Sequence, residues 1–274
     1  MRPYVVAWLA GHMGLRLAEL LAPSWFTCVG LAGLVSLLVI AMRARRHQIE
    51  TSSVVAIALS GYVAAVAAGI VVPMMIDAAI HAAVTGRVRV RWSGMTSFWG
   101  YLAGAAAVAW ACRRERVSLA RFGDLAVIPL GIALAIARLG CFMAGCDYGK
   151  ASSLPWAVRF PAGSPAWLDH VRAGLVPIDS PVSLAVHPTE LYEALLGVAI
   201  VAIPCIARRA RRYGDLVLAA AATYAVGRFA IELVRGDAER GVYHGVSSGQ
   251  IFCLCLLGAI VASCIVRRRC RLGA

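Results

Sequence analysis

Arg138, Arg228 and Arg235 stand in or beside long apolar stretches, where a cation is costly. An arginine at a bilayer centre costs about 2.5–3.5 kcal/mol on insertion scales, so such groups persist by pairing or by lining a wet cavity. Arg228, Glu232 and Arg235 are spaced i, i+4, i+7 and would share one helix face, where Glu232 can pair with Arg228 and Arg235 lies nearer the headgroup level. Arg138 has no carboxylate at helical spacing on its own stretch, so it needs one from another helix or a bound anion. Guanidinium forks match phosphate oxygens. The three arginines therefore describe a positive pocket for a phosphate, and within a bilayer the abundant phosphate is an anionic lipid headgroup. A plain ion pair ordering a helix bundle accounts for Arg228 and Glu232 equally well.

A second constellation is His187-Pro188-Thr189-Glu190-Leu191-Tyr192-Glu193. Pro188 suits a first helical turn, and Glu190 would lie near the positive end of the helix dipole. A well-capped helix start explains both. It leaves His187 and Tyr192 at membrane depth unexplained. Of nine cysteines, Cys141 and Cys146 stand apart at the end of an apolar stretch, just before Asp147. No CxxC-type metal spacing is present, and both a disulfide and two packed thiols are compatible with the pair.

These residues must be positioned by membrane helices. The chain is 61% hydrophobic and only 15% charged, with mean hydropathy +0.76, whereas soluble domains carry about 25% charged residues. The expected fold is an all-α integral membrane protein with about seven spans, near 26–42, 54–76, 95–112, 124–145, 188–207, 214–234 and 247–266. Residues 1–25 read as an interfacial N-terminal segment, since His12, Arg16 and Glu19 interrupt its apolar run. That run does not resemble a cleavable signal. The 274 residues form one membrane domain without repeats. It carries an outer arm over 78–94, with Arg87, Arg89 and Arg91 alternating with valines, and an outer, periplasmic cap loop over 147–187.

The net charge of +13 does not indicate nucleic acid. More than half of the basic residues fall in four clusters, around 43–46, 113–121, 208–212 and 267–271, each following an odd-numbered span. All four then lie on one face, which the positive-inside rule makes cytoplasmic. The C-terminus is expected inside and the N-terminus outside. Arg138, His187, Arg228 and Arg235 converge at the outer end.

Four stretches, in order, resemble the prolipoprotein diacylglyceryl transferases of bacterial inner membranes. They are Ser97 to Gly104; Arg138 to Gly149 with Pro155 to Val158 following; His187 to Glu193; and Gly227 to Asp237 with Ser248-Gly249-Gln250. The resemblance implies transfer of a diacylglyceryl group from phosphatidylglycerol to the lipobox cysteine of a prolipoprotein, giving a thioether. By resemblance, Arg138 and Arg228 hold the lipid phosphate, Glu232 orients Arg228, and Gly149 closes the second motif. His187 is implied as catalytic. Arg235, Tyr192 and Cys141 are implied on the substrate side. No metal and no organic cofactor is implied.

The chain departs from the family pattern at several positions. Trp99 stands where the family typically has histidine, and Tyr101 where it has a second glycine. Cys141 and Ala144 replace two asparagines, Cys146 a glutamate, and Phe26 a tyrosine. Two alternatives follow: a divergent paralogue with another acceptor, or a non-catalytic membrane protein that binds anionic lipid.

Overall fold

The structure is a computed structural model of the 274-residue chain, and it describes residues 1–13, 24–91, 97–207, 212–237, 241–243 and 245–272. Helices dominate it. They are α1 (Arg2–Met13), α2 (Trp25–Arg46), α3 (Thr51–Thr85), α4 (Ser97–Arg114), α5 (Leu119–Ala144), α6 (Pro165–Arg172), α7 (Thr189–Ile206), α8 (Asp215–Leu233) and α9 (Ser248–Leu272). A short antiparallel pair, β1 (Val242–Tyr243) with β2 (Val246–Ser247), precedes α9. The apolar runs become helices because hydrocarbon offers the backbone no partner, so each segment must satisfy its own N–H and C=O groups.

Six of these helices (α2, α3, α5, α7, α8 and α9) are long and apolar enough to cross a membrane. The protein is therefore an all-α, multi-pass membrane protein. The stretch expected as a third span is helical, as α4, but glycines and the terminal Arg113 and Arg114 dilute its apolarity. The N-terminal segment starts as α1, while Arg16 and Glu19 lie outside the described residues.

The chain divides into two compact units. The smaller comprises Leu37–Ala126. In it α3 and α4 approach closely through small residues: a side-chain carbon added at Gly100 would sit 2.9 Å from the Ala65 carbonyl oxygen, and one at Gly104 would sit 3.1 Å from Ala65 Cβ. Small residues four apart let helices meet in a membrane, where lipid supplies no hydrophobic drive. Ile40, Ala44, Val54, Ile57, Cys112, Phe122 and Leu125 form its apolar cluster.

α3 runs nine residues past its expected end. Pro73 removes one backbone hydrogen bond without stopping it, and Gly86, at φ 68, ends it with its N–H bonded to Ala82 O at 2.9 Å. Residues 78–85 of the expected arm are therefore helix. No strand forms over 87–91; instead Arg91 forks onto Asp77 at 2.9 and 3.1 Å.

The larger unit comprises Met1–Ser36 and Val127–Ala274. Here α5 crosses α7 at Gly131 and Gly197, where an added Cβ at either position would stand 2.6–2.7 Å from the other's carbonyl oxygen. Val127, Leu196, Ile200 and Ala220 fill the space between α5, α7 and α8. Residues 147–187 are ordered around their own apolar cluster of Tyr148, Phe160, Ala166 and Val186. They carry α6, whose N-cap Ser164 accepts from the Trp167 N–H. Outward-facing side chains of α7 to α9 include Leu195, Val198, Val226, Leu254 and Val261, while Glu190, Glu193 and Glu232 are buried. Apolar groups outside and charges inside fit a lipid surround.

Candidate functional site

Three chain segments meet at one end of the larger unit. The first is the end of α5, which delivers Arg138 and then, past the left-handed Gly145, Asp147. The second is the start of α7, where Pro188 is the N-cap, Glu190 lies in the first turn and Glu193 follows on the same face. The third is the end of α8, carrying Arg228 and Glu232. Arg235 is not placed by the helical spacing read from sequence. α8 ends at Leu233, and Arg235 instead enters an antiparallel bridge with Gly149. Lys150 N–H to Val234 O (2.7 Å) and Gly236 N–H to Tyr148 O (3.0 Å) fix that bridge.

Glu193 is the hub. Its Oε2 lies 2.9 Å from Arg138 Nε and 3.7 Å from Arg228 Nε, and its Oε1 lies 3.7 Å from Arg235 Nη1. Arg138 Nη1 also donates to Asp147 Oδ2 at 2.9 Å, and Arg228 pairs with Glu232. Arg235 is clasped by Asp237 (2.6 and 3.0 Å) and pairs with Asp147. The Arg235 residue is only 5% exposed.

The three arginines thus meet as expected, but as a compensated cluster. Each guanidinium faces at least one carboxylate, which is how buried charges offset their desolvation. Asp147 is the most exposed member of the cluster, at 27% of its side chain. Burial alone would raise its pKa, but the Arg138 and Arg235 guanidiniums outweigh that and hold it at about 2. An incoming anion must therefore compete with the Asp147 carboxylate for Arg138 and Arg235. Burial lowers the Arg235 pKa, and Asp147 and Asp237 more than restore it.

The other sequence-derived residues form a neighbouring chain of hydrogen bonds. His187 Nδ1 lies 3.2 Å from Tyr192 Oη, which accepts from Trp156 Nε1 at 2.8 Å. Gly149 joins this chain to the arginines, because its N–H bonds to His187 O at 3.0 Å while it bridges to Arg235. Cys141 is buried, with Arg138 Nη1 3.9 Å from its Sγ. Trp99 and Tyr101 belong to the smaller unit, on α4.

The sequence pattern gives Glu190 only a place at a helix start and gives no role to Glu193, Asp147 or Asp237. Glu193 was findable, since Arg138 demanded a carboxylate from another helix. Glu190 is fully buried, and neither carboxylate oxygen has a hydrogen-bond partner among the described residues. Cys141, Cys146 and Asp147 offer ligand atoms within 4.8 Å of one another. Both Asp147 oxygens face guanidiniums, however, and that positive field opposes a cation.

A multi-pass membrane protein with a buried arginine–carboxylate cluster at its helix ends is the class these features define. The family model described as prolipoprotein diacylglyceryl transferase matches residues 15–266, and the chain belongs to that family. A phosphatidylglycerol–prolipoprotein diacylglyceryl transferase of Frankia alni is 35% identical over 194 residues, covering 69% of this chain and 47% of that protein. Proteins of the same name from Nocardia farcinica and Mycolicibacterium paratuberculosis are 37% and 38% identical, over 53% of this chain and 30% and 35% of their own lengths. The chain thus spans about half or less of the length of these curated relatives.

Proposed function

We propose that this protein transfers the diacylglyceryl group of phosphatidylglycerol to the cysteine thiol of a prolipoprotein lipobox. The observation that carries the reading is the meeting of Arg138, Arg228 and Arg235 around Glu193 at the ends of apolar helices. Family membership supports it. In the reaction the acceptor sulfur bonds the glyceryl carbon, the carbon–oxygen bond to phosphate breaks, and glycerol phosphate leaves with the electron pair. Preorganised cationic donors stabilise that developing charge. Arg138 and Arg228 take this role, with Glu232 and Glu193 fixing their orientation. Arg235 and Gly149 shape the phosphate side, and Cys141 lines it.

The thiolate is the nucleophile, so its proton must be removed. His187 is assigned that proton. Tyr192 Oη lies 3.2 Å from Nδ1, and Nε2 accepts the proton in the tautomer whose Nδ1–H donates to Tyr192. The site is assigned to the outer face of a bacterial inner membrane, with the N-terminus outside and the C-terminus cytoplasmic.

The alternative is a non-catalytic binder of anionic lipid, favoured by Trp99, which stands where the family typically has histidine and cannot act as a base. The deciding experiment is complementation in bacteria depleted of their own diacylglyceryl transferase, with mass analysis of a lipobox peptide. A diacylglyceryl mass increment establishes the reaction. An inserted, stable protein that yields none overturns it.

A further inference from the structure

Helix α5 ends in a turn that brings two thiols together. Gly145 adopts φ 79, and Cys141 O accepts from both Gly145 N–H (2.7 Å) and Cys146 N–H (3.3 Å). In this helix ending, the residue after the left-handed one folds back onto the side chain five positions earlier. Among the described residues the same ending closes α6, where Gly174 (φ 68) precedes Leu175 and the Leu175 N–H bonds to His170 O at 2.8 Å, and it also closes α2 and α4. Gln48 (φ 53) follows α2, with Ile49 N–H bonded to Ala44 O at 3.0 Å. Arg116 (φ 54) follows α4, with Val117 N–H bonded to Cys112 O at 2.9 Å. At those two ends the residues that meet, Ala44 with Ile49 and Cys112 with Val117, belong to an apolar cluster. At the end of α5 they are Cys141 and Cys146.

Both are free thiols, with Sγ atoms within 4.8 Å of each other. Their surroundings are polar: Arg138 Nη1 lies 3.9 Å from Cys141 Sγ, and Cys146 Sγ lies 4.0 Å from Asp147 Oδ2. The Cys146 thiol is held protonated, first by its hydrogen bond with Cys141 and then by burial.

We propose that Cys141 and Cys146 form a reversible dithiol–disulfide site, closed by a disulfide-bearing oxidant and reopened by a reducing thiol. Cys141, whose sulfur lies beside the Arg138 guanidinium, attacks one sulfur of the oxidant as the thiolate, and the other half departs as a thiol, taking up the proton that Cys141 gave up. Cys146 then displaces the second half, giving up its own proton to it. One sulfur–sulfur bond forms in the protein, one breaks in the oxidant, and two electrons and two protons leave with it. Closure draws the sulfurs in to about 2.05 Å. The next residue is Asp147, which is at φ 64 and holds Arg138 and Arg235. The site therefore couples oxidation to the arginine cluster. Its effect on transfer rests on the proposed function, but its chemistry does not.

The test uses the full chain in phosphatidylcholine nanodiscs, equilibrated with graded ratios of oxidised to reduced glutathione, then alkylated, digested and weighed. The expected product is a peptide carrying both cysteines, unalkylated and lighter by two hydrogens. It should revert with dithiothreitol, vanish in Cys141→Ser and in Cys146→Ser, and persist in Cys28→Ser. Two alkylated thiols at every ratio, a glutathione adduct without closure, or a Cys28–Cys141 link would each overturn the proposal. These outcomes are read without any transfer assay, so failure of the transferase reading leaves them decisive.

Discussion

Glu193 Oε2 stands 2.9 Å from Arg138 Nε with no exposure to solvent, joining α7 to α5 by a buried ion pair. The same carboxyl group faces Arg228 and Arg235, so removing it takes a counter-charge from three cations at once and leaves them the carboxylates of Asp147, Glu232 and Asp237. Breaking a buried pair by deleting one partner costs about 3–5 kcal/mol. Glu193→Ala should therefore lower the detergent-solubilised melting temperature sharply, measured by a thiol-reactive or intrinsic-fluorescence melt. An unchanged melt would show that Glu193 is not the counter-charge of the cluster.

Arg228→Ala should abolish transfer while the protein still inserts. Arg228 touches both Glu193 and Glu232, and a lost transition-state donor typically costs about 100- to 1000-fold in rate. Arg228→Lys should stay well below wild type, because an ammonium lacks the planar fork. The measurement is initial rate on a lipobox peptide with phosphatidylglycerol vesicles. Normal turnover in either variant would remove Arg228 from the phosphate side.

Asp147 makes a signed prediction for pH. Its folded pKa, about 2, lies below the unfolded value of about 3.9. Its ionised form therefore adds stability that is fully present above about pH 4 and is lost as the pH falls through about 2. The depression corresponds to about 3 kcal/mol. Melting temperatures of the wild type and Asp147→Asn should differ at pH 6 and converge toward pH 2. A gap that stays constant across that range would show that Asp147 ionisation is not the stabilising element.

The parts of this site that were legible beforehand depend on local spacing. Glu232 and Arg228 are i, i+4 on α8, and they do pair. The apolar runs marked the helices for the same reason. What crosses between segments was not legible. Arg235 was expected to continue the face of α8, but the helix stops at Leu233 and the bridge to Gly149 turns its side chain into a cage of Asp147 and Asp237. The expected positive pocket proved compensated because its carboxylates come from α7 and from the loop after α5, which no single-helix period connects. α3 runs on to Thr85 because an apolar run marks only the part of a helix that suits a bilayer, not where the helix itself ends.

Gly149 gives the sharpest steric test of how the two hydrogen-bond systems are joined. A Cβ there would stand 2.6 Å from His187 Cβ, 2.7 Å from His187 O and 2.9 Å from Val234 O. Gly236, opposite, would clash with Gly149 O at 2.5 Å if it too carried a side chain. Two of the three obstacles around Gly149 are backbone atoms that cannot rotate away. Relief requires parting the bridge that seats Arg235 beside Asp147. Forced insertions of this kind cost about 1–3 kcal/mol. Gly149→Ala should therefore lower the melting temperature and the transfer rate together, whereas Gly258→Ala on α9, with nothing within 4 Å of the added carbon, should change neither. If both substitutions behave alike, the close approach at Gly149 is not what seats Arg235.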